Sequence, residues 1–349
     1  MRIIVVRHGE SEADLYGVHE GRLDTPLTRR GRMQADACAA RIAESFAPQR
    51  IYTSTLRRAG ETANAIYKAC GGVEVVEMPE LCEHDNGQLA GLTFEEADAR
   101  FPRVRVPRSE SVYGQESEEA FGERGRLAMS QILGDARGLD RIAIVCHGGM
   151  INRLFEAFFG ANDGTLVRSG DTAIHVWRTI DDDPDDRRAL EITNDTRHLT
   201  PYLRLVPRAI EYGSERYRQA LELRDRELRR PLGLSIHDDP LAREVDDLHF
   251  GFFDGERLVA YGCATPEDDR AHVRQVVVEP EWRGIGVGAL LMELIEKRLA
   301  ARGFEEIYLH ARESAEGFYR HIGYADRGER FEEVGIPHVA MYRKLEYRG

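Results

Sequence analysis

Ile3-Ile4-Val5-Val6-Arg7-His8-Gly9-Glu10-Ser11 is the stretch that decides the fold of the first half. Four apolar, mostly β-branched residues in a row predict a strand covered on both faces, as in a parallel sheet. Such a strand delivers its carboxyl end to the crevice where α/β proteins place ligands. Here that end carries a cation, an imidazole, a glycine and a carboxylate.

A second run of the same kind, Arg141-Ile142-Ala143-Ile144-Val145-Cys146, also ends in a histidine, at His147-Gly148-Gly149. Short strands are expected at 51–54 and 73–76, and helices at 29–46, 55–70, 118–133 and from 149 to 159. Thr93 and Glu96 have the spacing of a capping box. Residues 101–114, with Pro102 and Pro107, read as irregular; the Arg cluster Arg100, Arg103, Arg105 and Arg108 reads as a solvated loop, with a specificity loop gripping extra anionic groups as the alternative. Strands alternating with helices imply a doubly wound three-layer α/β/α domain. An edge hairpin over 172–177 and 189–193, around the acidic turn at 181–186, closes it.

The boundary is expected between Thr200 and Pro207, giving domains 1–200 and 207–349. Beyond it the grammar changes. A helix over 214–228 precedes strands at 248–253, 258–264 and 273–278, with Asp254-Gly255 as a hairpin turn. A helix over 286–302, a strand over 307–311, a short helix over 315–321 and a final strand pair complete a mixed α+β domain with an antiparallel start.

Composition narrows the function classes. A chain of 349 residues exceeds one ordinary core. A formal net charge of −13 opposes generic binding to nucleic acid or anionic membrane. Only three of the 48 basic residues are Lys, which reads as coding bias. No apolar run is long enough to span a bilayer, and Met1-Arg2 leads directly into a strand, so no signal peptide is expected. Five scattered cysteines without metal-ligand spacing favour reduced thiols and a cytoplasmic location.

Three separated segments carry chemistry: Arg7-His8-Gly9-Glu10, the turn containing Arg57-Arg58, and Cys146-His147-Gly148-Gly149. Two arginines and two histidines converging on one crevice suit a dianion, most simply a phosphoryl group. The ordered series resembles the histidine phosphatase (phosphoglycerate mutase-like) superfamily. It comprises Arg7-His8-Gly9-Glu10-Ser11, Gly21 to Thr28 with Gly31 and Gln34-Ala35, and Arg58-Ala59 with Thr62-Ala63. It continues with Leu81-Cys82-Glu83, Gly87, Gly91-Leu92, Glu116-Ser117 and His147-Gly148-Gly149. The resemblance implies that His8 is the nucleophile and that Arg7, Arg58 and His147 bind the phosphoryl oxygens. It further implies that Glu83 is the general acid and base, and that no metal is needed. Asp14 departs from the family's usual Asn, and Cys146 stands where a smaller residue is usual. A compact segment after Glu83 favours hydrolysis over mutase chemistry.

The second constellation is Val276-Val277-Val278-Glu279-Pro280-Glu281-Trp282-Arg283-Gly284-Ile285-Gly286-Val287-Gly288. Free N–H groups at a glycine-rich helix start suit pyrophosphate. The alternating glycines do not have dinucleotide-fold spacing. With Ala315 to Tyr319, Gly323-Tyr324 and Gly335 to Met341, the segment resembles the GNAT superfamily of N-acetyltransferases over about 208–345. The resemblance implies that Arg283, Gly284, Ile285, Gly286, Val287 and Gly288 cradle the pyrophosphate of acetyl-CoA. Val276 and Val278 would align the pantetheine, and Tyr319 would protonate the departing thiolate. Arg312 departs from a common Asn or Gln. His310 and His338 are weighed as contacts to the amine, and no general base is assigned.

The expected protein is a bifunctional enzyme acting on a small-molecule phosphomonoester and on a small-molecule or peptide amine. Nucleic acid and membrane are not expected as partners, and a homodimer is one expected assembly. The alternatives are a phosphoglycerate-type mutase with an attached acetyltransferase, and a phospho-ligand sensor that regulates the acetyltransferase.

Overall fold

The computed structural model describes residues 1–161, 166–180, 187–333 and 335–346. The chain falls into two compact units, Met1–Leu203 and Arg204–Gly349.

The first unit contains, in chain order, β1 (Arg2–Arg7), α1 (Glu12–Tyr16), α2 (Arg29–Ser45), β2 (Arg50–Thr53), α3 (Arg57–Ala69) and β3 (Glu74–Glu77). It continues through α4 (Phe94–Arg100), α5 (Glu118–Asp135), β4 (Arg141–Cys146), α6 (Gly148–Phe159), β5 (Ile174–Thr179) and β6 (Arg188–Asp195) to the single turn α7 (Pro201–Arg204). The sheet order is β3-β2-β4-β1-β5-β6. The alternation along β1 and β4 explains the layers. Ile3, Val5, Ile142 and Ile144 join α5 and α6 in one core, while Ile4, Val6, Ala143 and Val145 join α2 and α3 in the other. All eight are fully buried, as the unbroken apolar runs require.

The expectation of a parallel sheet holds on one side of β1 only. β1 pairs parallel with β4 but antiparallel with β5, which pairs antiparallel with β6. Apolar continuity reports burial on both faces, and an antiparallel neighbour satisfies it equally well when helices cover the sheet. The acidic turn at 181–186 lies outside the described residues. The capping box forms: Thr93 Oγ1 accepts from Glu96 N–H and the Glu96 carboxylate accepts from Thr93 N–H. Residues 101–114 form no helix or strand.

The second unit contains β7 (Val206–Ile210), α8 (Glu215–Arg224), β8 (Leu248–Asp254), β9 (Arg257–Glu267), β10 (Arg270–Val278), α9 (Val287–Ala300), β11 (Glu306–Arg312), α10 (Glu316–His321), β12 (Ala325–Glu333) and β13 (Ile336–Lys344). Its sheet order is β12-β13-β11-β10-β9-β8-β7, antiparallel except for β10 and β11. Pro207 sits inside β7 rather than in a linker. β7 is an edge strand, where a missing N–H is tolerated. The helix expected over 214–228 stops at Arg224, and Asp225–Arg229 wind as a π-turn.

One irregularity shapes this sheet. β10 and β11 pair from Arg270↔Glu306 to Val273↔Leu309 and then part. Just there β10 slips register against β9 between Arg274 and Val277, with Gln275 at φ 56°. The bulge bends β10 away from its neighbour and leaves a fork, with an unpaired edge on β10 beyond Val273.

Candidate active sites

In the first unit the ends of β1, β2 and β4 are laced together. His8 N–H donates to Cys146 O (3.0 Å) and Ser54 N–H to Val145 O (3.1 Å). Gly9 admits no side chain, since a Cβ there would lie 2.5 Å from Gly31 O. Glu10, buried, accepts from Thr28 Oγ1 (2.7 Å) and pairs with Arg30, so it fixes this turn to the start of α2.

His8 is buried, and its Nδ1 lies 2.7 Å from Gly9 O. A carbonyl can only accept, so Nδ1 carries the proton and Nε2 presents its lone pair. Burial first, then the charges of Arg58 and Arg7, pull the imidazole down to about 3, so it stays neutral at physiological pH. In this structure Nε2 accepts from Arg58 Nε at 3.3 Å. The His147 ring stands 5.0 Å from the His8 ring. His147 Nε2 meets Ser54 Oγ at 2.9 Å. Burial, reinforced by Arg58, His8 and Arg7, holds His147 far below the usual imidazole range.

Arg58 is fully buried. It donates to Leu23 O (2.7 Å) and Gly21 O (2.8 Å) and faces Glu20 at 3.1 Å. Arg7 donates to Ser169 O (2.9 Å) and faces Asp171 (3.4 Å) and Asp14 (3.5 Å). Among the described residues, two buried nitrogens at this centre have no hydrogen-bond partner, Arg7 Nε and His147 Nδ1. Arg7 Nε lies 4.0 Å from where a Cβ on Gly148 would sit, next to His147. Buried polar atoms left unsatisfied are uncommon in native structures; Arg7 Nε can donate to an oxygen of an anion, and His147 Nδ1 does so in the tautomer whose Nε2 accepts from Ser54 Oγ.

Glu83 follows β3 through a 3₁₀ turn at Pro79–Leu81. Its Oε2 accepts from Gly149 N–H (2.8 Å) and its Oε1 from His84 N–H (2.8 Å). Gly149 is obligatory for this contact, because a Cβ would fall 2.4 Å from Glu83 Oε1. Arg124 on α5 clamps the segment, donating to the carbonyls of Glu80 (3.0 Å), Cys82 (2.6 Å) and Glu83 (3.1 Å) while paired with Glu116. Arg7, His8, Arg58, Glu83 and His147 therefore meet at one sheet end. Cys146 is fully buried and burial pushes its thiol up.

Apart from Asp14, the sequence reasoning missed the carboxylates that balance this centre. Asp14 does not face the pocket unopposed; it caps α1 through Ser11 and meets Arg7, and the charge of Arg7 with the hydrogen bonds from Ser11 offsets the cost of its burial to keep it acidic. Burial raises Glu20 to about 7 and Asp171 to about 6, with the repulsion of Asp14 adding to each and an arginine opposing it. Ser54 and Arg124 were also missed. Glu20 adjoins the quoted Gly21-Arg22-Leu23 segment, but Asp171 and Arg124 have no local signal.

The second site is built mostly of backbone. Gly284 and Gly286 adopt φ 76° and 92°, and α9 begins at Val287 with no side-chain cap on its first N–H groups. A Cβ on Gly288 would lie 3.3 Å from the Phe318 ring. These features fit a pyrophosphate at the helix start. Arg283 is committed to Val278 O (2.9 Å) and Glu227 (2.6 Å), and Ile285 is exposed. Val276 and Val278 lie where β10 has parted from β11, with their side chains toward the α9 face. Tyr319 is buried and its hydroxyl is pushed up to about 12 by burial, against the charge of Arg312. His310 Nδ1 meets Glu333 at 2.9 Å, and His338 Nδ1 meets Ile336 O at 2.8 Å. Among the described residues no group of three or more His, Cys, Asp or Glu is placed to hold a metal ion, and no helix is long and apolar enough to cross a membrane.

The comparisons agree with both halves. The histidine phosphatase superfamily (branch 1) model matches residues 3–189, and the acetyltransferase (GNAT) domain model matches 224–345. Phosphoglycerate mutase-like protein 4 of Arabidopsis thaliana is 32% identical over 203 residues, 56% of this chain and 86% of that protein. The metal-independent phosphoserine phosphatase of the same plant is 29% identical over 205 residues, 57% of this chain and 83% of that one. A solved mycobacterial glucosyl-3-phosphoglycerate phosphatase in complex with VO3 superposes with TM-score 0.50 at 26% identity, over 55% of this chain and 98% of that structure. The chain belongs to the histidine phosphatase superfamily (branch 1) and carries a GNAT acetyltransferase domain in its second half.

Proposed function

We propose that the chain is a bifunctional enzyme. The first unit hydrolyses small phosphomonoesters through a phosphohistidine on His8, and the second transfers the acetyl group of acetyl-CoA to an amine. The observation that carries the first half is the neutral His8, its Nδ1 proton donated to Gly9 O, beside the two unpartnered nitrogens Arg7 Nε and His147 Nδ1.

An entering phosphoryl group displaces the Arg58 contact from Nε2, which attacks phosphorus as the P–O bond to the leaving group breaks. Arg7, Arg58 and His147 hold the equatorial oxygens, and preorganised cations need no reorganisation at that moment. Glu83, aimed by Gly149 and His84, gives the leaving alkoxide a proton. It then takes one from the water that cleaves the P–N bond. No metal is invoked. Named phosphatases among the relatives support hydrolysis.

In the second unit the N–H groups from Gly284 to Gly288 would hold the pyrophosphate, and the unpaired edge of β10 would align the chain behind it. Acetyl-CoA supplies the acetyl group. The Tyr319 hydroxyl keeps its proton at neutral pH and so is there to be donated as negative charge builds on the departing sulfur. All five cysteines are free, which suits a reducing compartment, and we place the protein in the cytoplasm.

The test is a quench after brief exposure to a labelled phosphomonoester drawn from a metabolite panel. Acid-labile, base-stable phosphate should remain on the full chain and vanish in His8→Ala together with turnover. Turnover without trapped phosphate and undiminished in His8→Ala would refute the reading. The same panel method with amines and acetyl-CoA tests the second half.

A further inference from the structure

Arg312, the last residue of β11, stands at the fork where β10 and β11 part. It is half-buried, and its guanidinium has no hydrogen bond or ion pair among the described residues. Its neighbour Arg229 is bound by Asp239 (2.9 and 2.6 Å) and by Gln275 of the β10 bulge (3.1 Å). Burial and then the like charge of Arg229 weigh against the charge on Arg312, and Tyr319 lies close enough to feel it. A cation half removed from water beside another cation, with no anion of its own, is half of an ion pair.

The acyl donor does not supply the missing anion at this point. Its phosphates belong at the start of α9, where Gly284 and Gly286 open the backbone, and its thioester segment is uncharged. The remaining molecule at the fork is the acceptor. On the same face of β11, two residues before Arg312, His310 presents an imidazole backed by Glu333 at 2.9 Å. Residues two apart on a strand share a face at about 7 Å, a span that a small molecule bridges.

We propose that the acceptor is a small amine carrying a carboxylate or phosphate, with the anion on Arg312 and the amine directed toward His310. The inference rests on the acetyltransferase reading of the second unit. The ammonium first passes one proton to His310; the freed amine nitrogen then bonds to the acetyl carbon as the C–S bond breaks, the thiolate takes a proton from Tyr319, and the second proton leaving the nitrogen restores the Tyr319 hydroxyl. Charge-assisted pairing with a guanidinium fork gives the selectivity.

The test uses the full chain. Amines are offered in matched sets: a carboxylate-bearing amine, a phosphate-bearing amine, and the neutral amide, decarboxylated or dephosphorylated counterpart of each. Acetylation is measured by thiol release, and amine binding by calorimetry in the presence of CoA. At least one charged class should be preferred over its neutral counterpart by about thirtyfold or more. Arg312→Gln should erase that preference, and Arg312→Lys should restore part of it. Binding of acetyl-CoA and phosphatase turnover should stay unchanged in both variants. Equal use of neutral and charged amines, a preference that survives Arg312→Gln, neither turnover nor binding of any charged amine, or weakened acetyl-CoA binding in Arg312→Gln would each overturn the proposal. Failure of the wild-type chain to bind acetyl-CoA at all would instead remove the acetyltransferase reading beneath it.

Discussion

At the ends of β1, β2 and β4 the working groups are side chains; at the fork of β10 and β11 and the start of α9 they are mostly backbone. The first centre places two arginines, two histidines and four carboxylates, Glu83 among them, around one point, with His8, Arg58 and His147 buried and the other five half-buried. The second offers positive-φ glycines, uncapped N–H groups and an unpaired strand edge. The difference teaches where each site is vulnerable. A side-chain centre concentrates its free energy in a few groups, so one substitution removes most of the effect. A backbone cradle spreads it over several N–H groups, so one substitution removes a fraction.

The sharpest way to exploit the contrast is Glu83→Gln. The amide keeps the size of the carboxyl but cannot shuttle a proton. Hydrolysis of an alkyl phosphate should fall by about a thousandfold, whereas nitrophenyl phosphate, whose leaving group needs no proton, should lose far less in the first step. Acetyl transfer should not change. Equal losses on the two esters, measured as kcat/KM, would remove the general-acid role from Glu83.

The second way concerns the balance of charge. Arg7, Arg58 and the two neutral histidines face Asp14, Asp171 and Glu20. Burial leads the rise of Glu20 to about 7 and of Asp171 to about 6, with Asp14 adding to each and Arg58 or Arg7 opposing. Below pH 6 both carboxyls are protonated and the site is more positive. As pH rises through 6 to 7 they ionise and repel the bound dianion. His8, with a value about 3, stays neutral throughout and contributes no limb in this range. Affinity for inorganic phosphate should therefore weaken by roughly tenfold between pH 6 and 8, beyond what ionisation of the ligand accounts for. Glu20→Gln should flatten the upper part of that profile. An unchanged profile in Glu20→Gln would show that its charge does not reach the phosphoryl site.

The two centres were also unequally legible. Arg7, His8, Arg58 and His147 could be found because each follows or begins a regular element, and the buried strands announce themselves by unbroken apolar runs. Glu20 and Asp171 could not, since only the folded chain brings them to the arginines, across a separation as long as that from Arg7 to Asp171. The helix α1 escaped because five residues hold too little periodicity, although its Ser11–Asp14 capping box was written in the sequence. β7 escaped because Pro207 reads as a linker until the neighbour shows the strand to be an edge. At the second centre the glycine turn was plain, but the fork was not. A bulge at Gln275 is a property of strand pairing, and no composition marks it. Arg312 was visible as a departure from the family, and only its lack of a partner among the described residues gives that departure a meaning.

The smallest predicted effect tests the backbone side of the contrast. Gly286 is the residue before α9 and sits at φ 92°, ψ −1°. Alanine there must either accept a left-handed conformation or rotate the peptide that opens the cradle. The first choice costs about 1 kcal/mol of local stability; the second turns one N–H away from the pyrophosphate while its neighbours continue to bind. Either way Gly286→Ala should weaken acetyl-CoA binding by only about three- to tenfold in calorimetry, and phosphatase turnover should be untouched. A loss of a hundredfold or more would mean that the pyrophosphate depends on one preorganised donor. The second site would then concentrate its binding in the manner of the first.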